Sequence, residues 1–264
     1  MRERRPELGK WLLWKWFYNH PAFHKYLPET RLYSPKQLRA FLSAFQSIYI
    51  KPVAGARGQN VMCAAKEGSS FILHIENHAP LRFSTFSELE QYLQRQMGNR
   101  RYIVQRDVRL AKIAGRPFDI RIMMQKDAHE KWQCTGLCAK VAGPHSAVTN
   151  IARSHGVVLS VAEALRESLH FSATQTAKTE EELRDIGIQT CSRLEEYQSY
   201  SEIGVDVGID RSGRPFILEQ NTGPSHALFR HMSDQTDYLL IQKTWRERKS
   251  ARSKRKRLHR SDKS

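Results

Sequence analysis

Residues 203–225 read IGVDVGIDRSGRPFILEQNTGPS. Apolar residues alternate at Ile203, Val205, Val207 and Ile209 and return at Phe216 and Leu218, on either side of Asp210-Arg211-Ser212-Gly213. Period-2 alternation around a polar, glycine-bearing turn predicts a β-hairpin. Asp206 interrupts the first apolar run. On the second strand Glu219 and Asn221 stand two apart, which points both to one face. Pairing around the turn places Asp206 across from that end of the second strand. Two carboxylates and an amide oxygen then form a hard-oxygen set suited to Mg2+, which takes few protein ligands and keeps its other positions for water and phosphate. Taken alone, the same residues also fit an ordinary hairpin with a solvated polar edge. The abrupt Asn-Thr-Gly-Pro-Ser that ends the strand is unlike a generic surface loop.

Working outward, 264 residues with 40% hydrophobic content are enough for one large or two small cores. No apolar run has the roughly 18–20 residues that a bilayer crossing needs. The basic, aromatic start MRERRPELGKWLLWKWF lacks the apolar core and cleavage site of a secretory signal, so a cytoplasmic location is expected. Cys63, Cys134, Cys138 and Cys191 have no CxxC or zinc-ligand spacing and read as free thiols. The net charge of +16 is uneven. Residues 243–264 hold eleven Lys or Arg against Glu247 and Asp262, and so supply +9. Such a tail reads as disordered from residue 244, making weak, nonspecific contact with polyanions.

Residues 8–26 read as an aromatic-rich helix broken at His20-Pro21. Ser34-Pro35 opens a second helix with Ser as N-cap, and Thr85 with Glu88 caps a third. Strands are expected over 47–53, 60–65, 70–75, 101–108, 118–125 and 131–141, and helices over 161–169 and 180–200. The elements do not alternate as βαβ. The fold class is therefore α+β in two lobes, with a helical segment at 1–30, an N-lobe at 31–105, a C-lobe at 106–243 and the basic tail.

Several further stretches carry polar groups where chemistry needs them. Lys51-Pro52-Val53-Ala54-Gly55-Ala56-Arg57-Gly58 joins two strands through a glycine loop. Its backbone N–H groups and lysine suit phosphate, although a plain glycine hairpin has the same appearance. It is neither a Walker A loop nor a dinucleotide fingerprint. Gln105 ends an apolar strand, where it either meets an adenine edge or is solvated. Asp119 and Arg121 share one face of an otherwise apolar strand, as an isolated ion pair or as part of a polar cleft. Lys140 and Asn150 could face the same cleft.

The order Lys10, Lys51-Pro with its glycine loop, Gln105, Asp119-Ile-Arg121, Asn150, Asp206 and Glu219-Gln-Asn221 resembles that of the ATP-grasp superfamily, from about residue 9 to 240. LGKW, LPET, YIKPVAGARGQNV, FDIRIMMQ and EIGVDVGID…FILEQNTGPS resemble the YheC/YheD-type branch, the endospore coat-associated proteins. Relatives of that type usually carry a preceding domain that helps form the acceptor site, and this sequence begins at the ATP-grasp portion. The resemblance implies ATP and Mg2+ as cofactors in a cleft between two lobes. Lys10, Lys51 and the loop with Gly55 and Gly58 would contact phosphates. Gln105, Arg106 and the backbone through Val108 would hold adenine. Arg121 would face the γ-phosphate, with Lys140 where related ligases often have arginine. Asp206, Glu219 and Asn221 would hold the metal, with Asn150 on the metal or acceptor side. The implied reaction joins a carboxylate to an amine or thiol through an acyl-phosphate. Two rival readings are a non-catalytic ATP-binding component among spore coat proteins and a nucleic-acid binder using the tail.

Overall fold

The computed structural model describes residues 8–55, 59–75, 78–143 and 156–261. The chain divides into two compact units, which among these residues are 8–109 and 110–261.

The first unit begins with helix α1 (Lys10–Tyr18) and a 3-10 turn at Pro21–Tyr26. Its sheet runs β1 (Thr30–Leu32), β6 (Tyr102–Arg106), β2 (Ser47–Pro52), β3 (Met62–Glu67), β4 (Ser70–Ile75) and β5 (Leu81–Phe83) in spatial order, antiparallel throughout. Helices α2 (Pro35–Ala44) and α3 (Phe86–Met97) cover one face. They begin where the caps predict: Ser34 Oγ accepts the Gln37 N–H at 3.2 Å, and Thr85 Oγ1 accepts that of Glu88 at 3.2 Å. Each side-chain acceptor satisfies one N–H that the first helical turn leaves open. Leu38, Phe41 and Leu42 of α2 and Leu89, Leu93 and Met97 of α3 pack on Ile48, Ile50, Met62, Ala64, Leu73 and Val104. Period-2 geometry sends the alternate residues, Tyr49, Lys51 and Gln105, to the opposite face.

In the second unit the sheet order is β10 (Val157–Leu159), β9 (Trp132–Val141), β8 (Arg116–Lys126), β11 (Glu202–Ile209) and β12 (Pro215–Asn221), with β7 (Lys112–Ile113) paired to β8. Helix α4 (Val161–Leu169) and the longer α5 (Ala173–Glu195) each start at a full capping box, Ser160 with Glu163 and Ser172 with Gln175. The second box explains why α5 begins seven residues before the expected 180. Its buried stripe Leu183, Ile186, Gly187, Cys191 and Leu194 faces Ile122 and Met124, with Gly187 leaving room for the Met124 sulfur. The opposite face buries Met123 and Cys138 under Phe229 and Ile241.

Disorder was expected from residue 244, and here the structure differs. Helix α6 runs over Thr236–Ser261. No glycine or proline interrupts that range, and it is rich in Lys and Arg, which are good helix formers. Ile241 and Thr244 are buried, and Arg248 Nη2 reaches Glu130 Oε2 at 3.0 Å, so the first half of the helix is anchored. Among the described residues, no helix is long and apolar enough to cross a membrane.

Candidate active site

The predicted hairpin forms, and it contains a device that strict alternation hides. Asp210 closes the turn, accepting the Gly213 N–H at 2.9 Å. From there Ile209 pairs with Pro215, Gly208 with Phe216 and Val207 with Ile217, but Asp206 pairs with Glu219 and Gly204 with Asn221. Leu218 is the extra residue of a β-bulge. Without it, alternation from the turn would put Glu219 and Asn221 on the face opposite Asp206. The bulge brings all three to one face.

β8 completes that face, because Arg121 lies opposite Asp206 and Asp119 opposite Gly208. On β9, Lys140 lies opposite Asp119. Arg121 donates to Asp206 through two bonds, Nε to Oδ1 at 2.6 Å and Nη2 to Oδ2 at 3.0 Å. Lys140 Nζ lies 2.7 Å from Asp119 Oδ1 and 2.9 Å from Asp206 Oδ1. Asn221 Nδ2 donates to Asp206 Oδ2 at 3.2 Å. Asp119, Asp206 and Lys140 are only 3%, 6% and 8% exposed. Two acids and two bases are thus buried as one neutral group, the arrangement in which buried charge is tolerated.

The environment splits the two carboxyls. Burial alone would raise the Asp206 pKa, but Lys140 and Arg121 outweigh it and hold the group down at about 2. Asp119 is pushed up to about 7 by burial, with the negative charge of Asp206 adding to the rise and Lys140 opposing it. The Arg121 guanidinium is raised further above its usual range; burial opposes this and Asp206 overcomes it.

Glu219 is half-buried beside the cluster, and its side chain makes no hydrogen bond or ion pair among the described residues. With the Asn221 amide nitrogen on Asp206, its Oδ1 is left as an acceptor. These are hard-oxygen donors that fit Mg2+. The third predicted ligand, Asp206, already has both oxygens engaged by cations and an amide. No group of three or more His, Cys, Asp or Glu residues with metal-site geometry occurs among the described residues, so any metal here would depend on phosphate or water oxygens for much of its coordination.

The first unit gathers the remaining predicted residues in two places. Lys51 Nζ donates to Gln105 Oε1 at 2.7 Å, and Gln105 Nε2 donates to Thr30 Oγ1 at 2.9 Å. The Gln105 side chain is buried and used internally, so it orients Lys51 rather than offering a free edge. Thr30 is a residue that no chemical signal singled out, although it closes the LPET stretch. Arg106 reaches Glu29 at 3.3 Å. The Val108 peptide makes no hydrogen bond among the described residues. Lys10 is fixed at the loop that follows β2: its N–H bonds Val53 O at 2.9 Å and its Nζ bonds Gly55 O at 2.5 Å. Gly9, ahead of it, lies so close to Val53 that a Cβ would meet Val53 Cγ1 at 3.0 Å. Gly58 and Asn150 lie outside the described residues. Asp119 was noticed only as a neighbour of Arg121; in the structure it is the second acid of the buried group.

An α+β chain with these two antiparallel sheets, and with ordered Lys, Arg, Asp, Glu and Asn positions along them, has the ATP-grasp fold. Solved structures agree: the ATP-grasp ligase PsnB complexed with minimal precursor (TM-score 0.53, 13% identity, 91% of this chain and 61% of that one) and the D-alanine-D-alanine ligase from Coxiella burnetii (TM-score 0.53, 11% identity, 97% and 62%). Within that fold, the chain belongs to the YheC/D-like ATP-grasp family, whose model matches residues 4–247. Curated relatives are the endospore coat-associated proteins YheD and YheC of Bacillus subtilis (strain 168). YheD is 24% identical over 230 residues, 84% of this chain and 49% of its own length. YheC is 23% identical over 239 residues, 87% and 64%. The chain therefore spans about half to two thirds of the relatives it matches.

Proposed function

We propose that this chain binds ATP with Mg2+ and acts as a carboxylate–amine or carboxylate–thiol ligase through an acyl-phosphate. The observation that carries the reading is the single sheet face shared by Asp119, Arg121, Lys140, Asp206, Glu219 and Asn221. Support for the nucleotide comes from a PsnB structure of the same fold, described as complexed with Mg and ADP (TM-score 0.51, 11% identity).

In the proposed reaction a substrate carboxylate oxygen attacks the γ-phosphorus and the bond to ADP breaks. An amine or thiol then bonds the acyl carbon, phosphate leaves, and the nucleophile's proton passes to solvent. Catalysis in such transfers is mostly positioning and charge stabilisation. Arg121 has N–H groups to spare beyond the two on Asp206, and these suit a phosphoryl oxygen. Lys140 adds a point charge from the adjacent strand, without the two-pronged geometry that arginine would offer. Glu219 and Asn221 would hold Mg2+, with phosphate and water oxygens taking its other positions; the ion would supply neutralisation of phosphate charge. Lys51, oriented by Gln105, and Lys10, held at the Gly55 loop, would bind phosphates, and the open Val108 peptide suits an adenine edge.

The names of the relatives support association with the spore coat. A second reading, a coat component that binds nucleotide without turning it over, is favoured by one observation: Asp206, expected to share in metal binding, is committed to Arg121 and Lys140. Calorimetry of ATP with Mg2+ on the wild type and on Glu219→Ala/Asn221→Ala tests the site. Micromolar binding that requires Mg2+ and is lost in the double variant supports it, and phosphate release with candidate acceptors then separates ligase from coat component. A wild type that binds no nucleotide removes the ligase reading.

A further inference from the structure

Glu202 opens β11 and lies on the same face as Gly204 and Asp206, four residues and so about 13 Å from Asp206 along the strand. Its Oε2 takes two bonds, from Gln125 Nε2 at 3.2 Å and from His226 Nε2 at 2.9 Å. The other nitrogen of His226, Nδ1, faces Gln242 Nε2 at 3.1 Å. An amide N–H donates, so Nδ1 is its acceptor and Nε2 is the nitrogen that donates to Glu202. Glu202 thus has an amide and an imidazole as side-chain partners, and no Lys or Arg pairs with it among the described residues. Its second oxygen, Oε1, is unshared, in a chain whose net charge is +16.

That carboxylate lines an open pocket of about 360 Å³ together with Pro224, His226, Gln242 and Trp245. Trp245 is 42% exposed, and its ring already carries one ammonium, Lys249 Nζ at 4.9 Å from the centroid. Pro224 forms the boundary towards the ionic cluster. It packs over Gly204 so closely that a Cβ there would meet Pro224 Cβ at 2.9 Å and Arg121 Nη1 at 3.1 Å. A half-buried carboxylate oxygen with no Lys or Arg on it among the described residues, beside an exposed indole, attracts an organic cation through charge and through the ring face. The hydroxyl of an alcohol gains neither.

We infer that this pocket binds a primary ammonium group of the ligase substrate, anchoring it at a point about 13 Å from the ionic cluster, on the strand spacing. The anchored group is not the one that reacts. The substrate class is an extended molecule with a cationic end and its reacting carboxylate or nucleophile roughly 10 Å away, on the same strand scale. The substrate role rests on the ligase reading; the ammonium site does not.

The test separates the two. n-Pentylamine, Nα-acetyl-lysine amide and 1-pentanol are titrated into the full chain without nucleotide. Binding is followed by the indole N–H resonance of Trp245, assigned with Trp245→Phe. Both amines should move that resonance saturably and the alcohol should not. Glu202→Gln, which keeps an acceptor for Gln125 and His226, should weaken the amines about tenfold or more, the loss of a charge-assisted contact. Trp245→Ala, read by calorimetry, should weaken them less. A free amine binding where the lysine amide does not would restrict the ligand to small amines; the reverse would point to a protein side chain. Equal responses to amine and alcohol, or a Glu202→Gln variant that binds amines as the wild type does, overturn the inference. Amine binding in a protein that never consumes ATP keeps the pocket and discards the ligase.

Discussion

Replacing Asp206 with alanine tests the buried ionic group most directly. Asp206 accepts two bonds from Arg121, one from Asn221 and the Lys140 contact. Lys140 keeps Asp119 as a partner, so Arg121 is the group left without an acid. Removing one member of a buried pair costs about 3–5 kcal/mol, because the other charge stays behind uncompensated. A smaller figure follows from the depressed carboxyl: about 2 against an ordinary 3.8 is roughly 2 kcal/mol. That figure compares only the charged and neutral acid in place. Deletion also strands the guanidinium and the Asn221 amide, so the larger range is the one expected. With a urea slope of roughly 3 kcal/mol per molar, the midpoint should fall by about 1 M or more. The paired variant Arg121→Met/Asp206→Leu should recover most of the loss, since apolar replacement of a buried pair is often neutral. Urea unfolding of the wild type, the single variant and the paired variant measures both effects. A single variant that shifts the midpoint by less than about 0.3 M, or a paired variant as unstable as the single, would refute the claim that these charges hold each other.

The pH dependence has two signs. Asp206 is depressed, so its contribution is complete above about 4 and is lost as pH falls through about 2; Asp119 is raised to about 7, so its contribution is complete below about 4 and declines as pH rises through about 7. Urea midpoints at pH 2, 4 and 7.5 should therefore peak at 4, and Asp119→Asn should flatten the alkaline side. Gly136→Ala would place a Cβ 2.8 Å from Phe229 Cε1 and 3.2 Å from Ile241 Cδ1. Overpacking of this kind costs about 1–3 kcal/mol, which thermal unfolding will show. Removing residues 250–264 deletes seven of the 43 Lys and Arg while keeping Arg248 on Glu130. Stability and ATP binding should persist, and retention on a polyanion column should shift to lower salt.

The parts of this molecule governed by neighbours in sequence were legible there. Ser34 and Thr85 mark helix starts because a cap needs only its own next three residues. The turn at Asp210 is local too, and so is the period-2 face of Phe118–Ile122. What depends on partners far along the chain was hidden. Leu218 looks like one more apolar residue of an alternating strand, and only its pairing with β11 shows it to be supernumerary. Gln105 reads as a free polar end because Lys51 and Thr30 lie 54 and 75 residues away. Asp119 and Lys140 are 21 residues apart and meet only because their strands are adjacent. The basic C-terminal stretch misled for a different reason: its charge signals solvation, and its lack of helix breakers is the quieter cue.

The bulge at Leu218 divides β12 into two stretches that answer differently to a change of length. Residues gained or lost between Asp210 and Arg214 alter the loop but leave the strand phase, and so the orientation of Glu219 and Asn221, to the bulge beyond it. One residue gained or lost between Phe216 and Glu219 reverses which side of the sheet those two present. In a lineage of such chains, the turn can therefore drift in size, whereas the stretch from Phe216 to Glu219 is fixed in its number of residues.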